Sequence, residues 1–370
     1  MKKNKQLSTH GRPTPSSNPV QRKRLLGLFA KAFGITFMLL MSLGVIAYSV
    51  IDHTVQAPAP PALQVMSLLA YAEELPQGDE TEAPEDTLSI PQTLQFEERR
   101  DNFFTFLLVG LTEGYGANTV MVASYDADTR EAHLISIPRD TRVDFNRNNR
   151  KLVAAYQVGR LHGGGHAGGI ARLKQEVATL IGFVPDFYIR IDYDAFERII
   201  DSVGGIEVYV PFHMRWDDPL QNLHINIPAG QQTLDGRNAL HFARHRNANP
   251  GFRAITDYQR MENQQLVINQ LASQLLTPAS LLRIPTFVEI FQQYFDTDLD
   301  LGALMWFANQ ARGIGDLSNL NMHTLPMGGT SGAPAWYEFA DPQAVLTLIN
   351  ATVNPMVRPV TLADVRIITH

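Results

Sequence analysis

Cysteine is missing altogether from the 370 residues. That excludes disulfide bridges, zinc–thiolate centres and cysteine nucleophiles, but it fits many compartments and assigns none. Surplus positive charge is also lacking: the formal net charge of −6 argues against general nucleic-acid binding. The glycine-rich stretch 159–169 contains neither a Walker lysine–serine pair nor a dinucleotide fingerprint, so it reads as a flexible segment rather than a phosphate loop. No internal repeat is present. A chain of this length buries a large core and is expected to form one or two domains.

Two further absences lie close together. Residues 32–51 carry no charge, matching the ~20 apolar residues that span a bilayer. Between Asp52 and Glu98 there is no lysine or arginine, whereas Lys2, Lys3, Lys5, Arg12, Arg22, Lys23, Arg24 and Lys31 crowd the N-terminus. The positive-inside rule then places 1–31 in the cytoplasm, 32–51 in the membrane as a signal anchor, and the remainder outside. A cleaved signal peptide with Val55-Gln56-Ala57 as its small-residue site is the competing reading. The apolar run exceeds the usual ~7–15-residue core of such peptides, which favours the uncleaved anchor. Residues 52–101 read as a proline-rich, acidic tether, with a short helix at 63–75. Its run 79–86 is a solvated linker rather than a calcium site.

What is present begins near Asn102. The run 104–109 is almost wholly apolar, as in a central strand covered on both faces. Strands are expected at 119–125 and 131–136, then at 187–191 and 206–210. Helices are expected at 170–180, stopped by Gly182, and at 196–203, capped by Asp194 and stopped by Gly204 and Gly205. A long amphipathic helix follows at 257–275, with Leu266, Leu271 and Leu275 turned inward. Further helices at 286–294, 301–312 and 342–350 and a strand at 320–325 complete the domain. The alternation argues for an α/β fold, an α–β–α layered mixed sheet. Its organisation is a main domain at 102–277 with a helical extension at 278–370.

The chemistry is concentrated at Ser136-Ile137-Pro138-Arg139-Asp140-Thr141. A proline cannot donate to a sheet ladder, so the strand stops there and Arg139 and Asp140 stand at its C-terminal end. Arg244, Arg246 and Arg260 lie downstream. Guanidinium groups are planar, permanently charged forks suited to phosphate, and several converging would form a phosphate or pyrophosphate pocket.

These residues carry a resemblance. The segment 136–141, Tyr193-Asp194-Ala195-Phe196 running into 201–206, Ala229-Gly230 through Leu234-Asp235-Gly236, Arg244-His245-Arg246, and Asp257-Tyr258-Gln259-Arg260 with Gln264 resemble the LytR–CpsA–Psr family over roughly 104–276. The resemblance implies an extracytoplasmic domain that holds a polyprenyl phosphate or pyrophosphate lipid and moves its glycan onto a cell-wall acceptor. It makes Arg139 and Asp140 the catalytic pair, and it makes Arg139, Arg244, Arg246, Arg260 and Gln264 the phosphate-binding set. It also implies magnesium held by two aspartates. Here their positions are Thr112 and Asn118, with Gly116 and Asn263 where arginines are usual. Glu113, one residue away, and Asn118 are the substitute ligands to weigh. Three readings follow: a transferase with a rearranged metal site, a non-catalytic lipid-phosphate-binding protein, or a membrane-linked transcriptional attenuator. The short basic tail offers no DNA-binding fold, and no nucleic-acid partner is expected.

Overall fold

The computed structural model describes residues 57–59, 98–112, 116–143, 150–277, 280, 283–314, 319–332 and 336–369. Most of the tether, the apolar run 32–51, the basic tail and Glu113 lie outside them. Among the described residues no helix is long and apolar enough to cross a membrane.

In chain order the first hairpin is β1 (Phe103–Thr112) and β2 (Gly116–Asp126), followed by β3 (Glu131–Ile137). Helices α1 (Leu152–Gly159) and α2 (Gly165–Ile181), joined by a π-helical turn at Arg160–Gly164, lead into β4 (Phe187–Ile191) and α3 (Tyr193–Ser202). Four short strands come next: β5 (Ile206–Val210), β6 (Met214–Asp218), β7 (Leu223–Ile227) and β8 (Gly230–Leu234). Then follow α4 (Gly236–Arg244), α5 (Asp257–Leu275), α6 (Ile284–Tyr294), β9 (Asp296–Thr297), α7 (Leu301–Ile314), β10 (Leu320–Thr324), β11 (Met327–Ser331), β12 (Tyr337–Ala340) and α8 (Pro342–Thr352).

The central sheet has six strands in the order β10-β3-β2-β1-β4-β9. β1 runs antiparallel to β2 and parallel to β4, and β10 is parallel to β3, so the sheet is mixed. Leu107 and Val109 of β1 join a core built with Leu152, Leu173, Val177 and Ile349, which belong to α1, α2 and α8. On the other face, Phe104 and Phe106 meet Phe307 of α7 edge-on at 5.2 Å. There too Gln265 of α5 donates to the Ser136 hydroxyl at 2.9 Å. The layering is α–β–α, as the sequence implies. A second apolar cluster joins α3, α4 and the strands β5–β8, with Ile200, Val208, Ile225 and Phe242 at its centre.

Several expectations are corrected. The stretch 159–169 is helical, and two of its glycines, Gly159 and Gly169, serve close packing rather than flexibility. A Cβ on Gly159 would meet the Gly168 carbonyl oxygen at 2.2 Å, and one on Gly169 would meet the Tyr156 ring at 2.8 Å. α3 is capped by Asp192, whose carboxylate accepts from the Ala195 N–H at 2.9 Å, while Asp194 sits in the first turn. Leu266 is 39% exposed, and Val267 takes the inward position instead. The segment read as a helical extension supplies both edge strands of the central sheet, the expected strand 320–325 as β10 and an unexpected one, β9.

Candidate functional site: an arginine mouth on an apolar tunnel

Each arginine reaches the site by a different local device. β3 ends at Ile137, and the proline after it turns the chain so that Arg139 stands just past the strand end. Arg244 is the last residue of α4, where a cation also favours the negative end of the helix dipole. His245 then leaves the helix (φ −56°, ψ 124°) and is fully buried, its ring bonded to the Arg253 carbonyl at 3.0 Å. Arg246 therefore emerges on the solvent side, and its carbonyl accepts from the Ile255 N–H at 2.9 Å. That bond carries the chain to Thr256, which opens α5 with a reciprocal capping box to Gln259. Arg260 lies one turn into this helix.

Asp257, in the first turn of α5, is the hub. Its Oδ1 lies 2.9 Å from the Arg260 guanidinium, 3.6 Å from Arg139 Nε and 3.7 Å from Arg246 Nε. Three cations share one carboxylate, so positive charge is left over. The Nε atoms of Arg139 and Arg260 are buried without a hydrogen-bond partner, and the close Arg260–Asp257 contact is out of line for a hydrogen bond. Buried donors of this kind call for an acceptor. Burial pulls the Arg260 guanidinium down to about 10, and the neighbouring Arg139 and Arg246 add to the shift against the pull of Asp257. It stays charged at neutral pH, at a cost that an anion would relieve.

These groups line one cavity of about 700 Å³. Arg139, Arg244, Arg246, Arg260 and Gln264 all face it, as do Thr112 and Asn118. Asp140 does not; its carboxylate pairs with Lys151 at 3.1 Å and lies 4.0 Å from Arg139. Beyond the arginines the walls become apolar. Val267, Ile268, Leu271 and Leu275 of α5 face Phe196 and Ile199 of α3, and Phe287, Phe291 and Phe295 close the far part. Leu108 of the central strand also lines this space, which explains why it is less buried than Leu107.

The family's magnesium positions are filled differently. The Thr112 hydroxyl accepts from the Asn118 amide and from the Tyr193 hydroxyl, the latter at 2.8 Å. Magnesium demands hard, preferably anionic oxygens in near-octahedral array. A hydroxyl with both lone pairs engaged and a neutral amide do not fit it. Among the described residues no group of three His, Cys, Asp or Glu side chains could hold a metal ion. The Tyr193 ring in turn carries Arg244, whose guanidinium carbon sits 4.2 Å from the ring centre.

The sequence reading did not assign roles to Asp257 or Tyr193. Asp257 was detectable, since an acid and an arginine spaced i, i+3 on a predicted helix are neighbours. Tyr193 meets Thr112 across 81 positions, and nothing local encodes that contact.

One titration reports on the same helix. Burial pushes the His241 imidazole down to about 4, with Arg237 and Arg244 adding to the effect. Its folded value lies below its unfolded value near 6.5, so its contribution to stability is complete above pH 6.5 and is lost as pH falls toward 4. Denaturant unfolding of His241→Gln should therefore lose about 2 kcal/mol less than the unaltered chain between pH 7 and pH 4.5. Parallel pH profiles for the two proteins would show that His241 titrates normally.

Against known proteins, a model of the LytR_cpsA_psr family matches residues 69–352. The chain is 27% identical over 207 residues to the polyisoprenyl-teichoic acid–peptidoglycan teichoic acid transferase TagV of Bacillus subtilis, covering 53% of this chain and 50% of that protein. It is 23% identical over 206 residues to the regulatory protein MsrR of Staphylococcus aureus, covering 54% and 58%. The chain spans about half the length of the curated relatives it matches. The crystal structure of B. subtilis TagV superposes with a TM-score of 0.55 at 22% identity, covering 68% of this chain and 96% of that one. At that identity the likeness shows the fold: a mixed α/β domain on a central mixed sheet.

Proposed function

Since this chain belongs to the LytR_cpsA_psr family, we propose that it is a cell-envelope glycopolymer transferase that moves a glycan from a polyprenyl pyrophosphate carrier to a cell-wall acceptor. One observation carries the reading. A single cavity joins an arginine-lined mouth to an aromatic and aliphatic tunnel, and an amphiphile with a pyrophosphate head and a prenyl tail matches both halves. Arg139, Arg244, Arg246 and Arg260 hold the pyrophosphate, Gln264 supplies an amide to it, and Asp140, tied to Lys151, fixes the turn that presents Arg139. An acceptor hydroxyl attacks the phosphorus bearing the glycan. Its oxygen forms the new P–O bond, its proton passes to solvent, and the bridging P–O bond breaks to release polyprenyl phosphate. Catalysis here is positioning and charge neutralisation of the leaving phosphate. The apolar run 32–51 anchors the chain in the membrane with this domain outside, where the carrier and the wall meet.

The neutral Thr112–Asn118 pair favours a second reading, a protein that holds the lipid pyrophosphate without transferring its glycan. The attenuator reading ranks last, because membrane topology is sufficient to explain the short basic tail 1–31. Incubating the purified full chain with a radiolabelled polyprenyl pyrophosphate-linked glycan and isolated cell wall decides between the first two. Transfer predicts label on the wall and an equal amount of polyprenyl phosphate. Lipid bound but intact after extended incubation would leave only the binding protein.

A further inference from the structure

We infer that the mouth of this cavity binds its pyrophosphate ester without a divalent cation, and that Thr112, Asn118 and Tyr193 are the residues that replace one. The inference rests on the pyrophosphate reading above and specifies how the charge is met.

The first support is the donor set. Thr112 closes β1 opposite Gly116, and Asn118 follows two residues along β2, so both side chains sit at the lip of the cavity. They are bonded to each other rather than splayed toward a shared point. Two hydrogen bonds arrive at the Thr112 oxygen, which leaves that hydroxyl only its proton to offer. A threonine in this state is a donor to phosphate, not a ligand to a cation. Asp192, the one carboxylate among the described residues that line the cavity, has Oδ1 committed to capping α3.

The second support is where the trio leads. Tyr193 is anchored through its hydroxyl to Thr112, and its ring face carries the Arg244 guanidinium. Gln221 also holds this guanidinium, accepting from it at 3.3 Å. The hairpin that would have carried a metal therefore positions an arginine instead.

The third support is charge. Four guanidiniums face the cavity, and Asp192 lines it while Asp257 pairs with three of them. Asp140 is cancelled by Lys151. Among the described residues two positive charges remain, matching the about two negative charges of a pyrophosphate diester, one per phosphoryl group. A divalent cation would double that surplus. In the family pattern two aspartates and one magnesium sum to zero, so neutral Thr112 and Asn118 without the cation leave that part of the balance unchanged, while Gly116 and Asn263 remove the further positive charge that two arginines would add. Losing the aspartates is then a coherent change rather than a defect.

Isothermal titration of the full-length chain in detergent with a farnesyl pyrophosphoryl sugar, a pyrophosphate diester, once in EDTA and once in magnesium, tests this. The expected affinities agree within about threefold. Tightening by magnesium beyond that overturns the inference, whichever residue supplies the ligand, Glu113 included. No binding in either buffer would instead overturn the pyrophosphate reading and this inference with it. The double variant Thr112→Asp/Asn118→Asp, checked for folding by its thermal midpoint, supplies the converse. It should bind at least about tenfold more weakly in EDTA than in magnesium. A folded double variant that ignores magnesium would remove these two positions from the account.

Discussion

Arg139→Ala is expected to weaken binding of farnesyl pyrophosphate by roughly ten- to a hundred-fold, the loss of a charge-assisted bond of about 1.5–3 kcal/mol. Arg139 should cost more than Arg244 for a geometric reason. Its Nε is buried and unpartnered beside Asp257, whereas Arg244 is already engaged by Tyr193 and Gln221. The fold should tolerate the change, because Arg260 and Arg246 still neutralise Asp257. Arg253→Ala is the control: that guanidinium stacks on Phe212 at 4.9 Å and does not line the cavity. Equal affinity in the Arg139 variant, the Arg253 variant and the unaltered chain would remove the arginine mouth as the phosphate site.

Legibility in the sequence followed locality. The strands 187–191 and 206–210 and the helix 257–275 could be placed to the residue, because period, cap and stop signals sit within each segment. Strand β7 carried the same signal, with Leu223, Ile225 and Ile227 inward and His224 and Asn226 outward, and was overlooked. Its partner β6, Met214–Asp218, has too few apolar residues to announce itself. The pairing of β10 with β3 joins Leu320 to Ala132, a contact that no local pattern specifies. The glycines at 159 and 169 show the opposite failure. Glycine is the local mark of both a flexible loop and a tight helix crossing, and only the neighbouring helix distinguishes them.

The same distinction runs through the site. The arginines were legible because residue type states their chemistry, and Pro138 and the end of α4 fix where two of them emerge. The tunnel was legible only as an alternative to core along the helices 196–203 and 266–275, because an apolar helix face reads identically whether it meets another side chain or an empty channel. Phe287, Phe291 and Phe295 lie within the family match but beyond the motifs at 104–276, so no motif marked them as lining residues.

That tunnel supports the last prediction, which separates head from tail. Burying hydrocarbon is worth about 0.8 kcal/mol per methylene, so lengthening the prenyl chain should raise affinity steeply until the channel is full. Dimethylallyl pyrophosphate and farnesyl pyrophosphate share the head group, and their affinities should differ by at least about a hundred-fold after the ordering cost of the longer tail is deducted. Ile268 lies on the tunnel wall, one turn from Gln264 at the mouth. Ile268→Trp narrows the channel without touching an arginine. Competition binding with the two ligands should then show the chain-length difference collapse toward about tenfold or less, while the short ligand binds as before. Should farnesyl pyrophosphate bind the unaltered chain no better than dimethylallyl pyrophosphate, the apolar walls are ordinary core and the lipid part of the proposed function falls. Should the short ligand weaken along with the long one, the tryptophan has disturbed the mouth, and Leu275→Trp, nearly two turns deeper on the same helix, takes its place in the comparison.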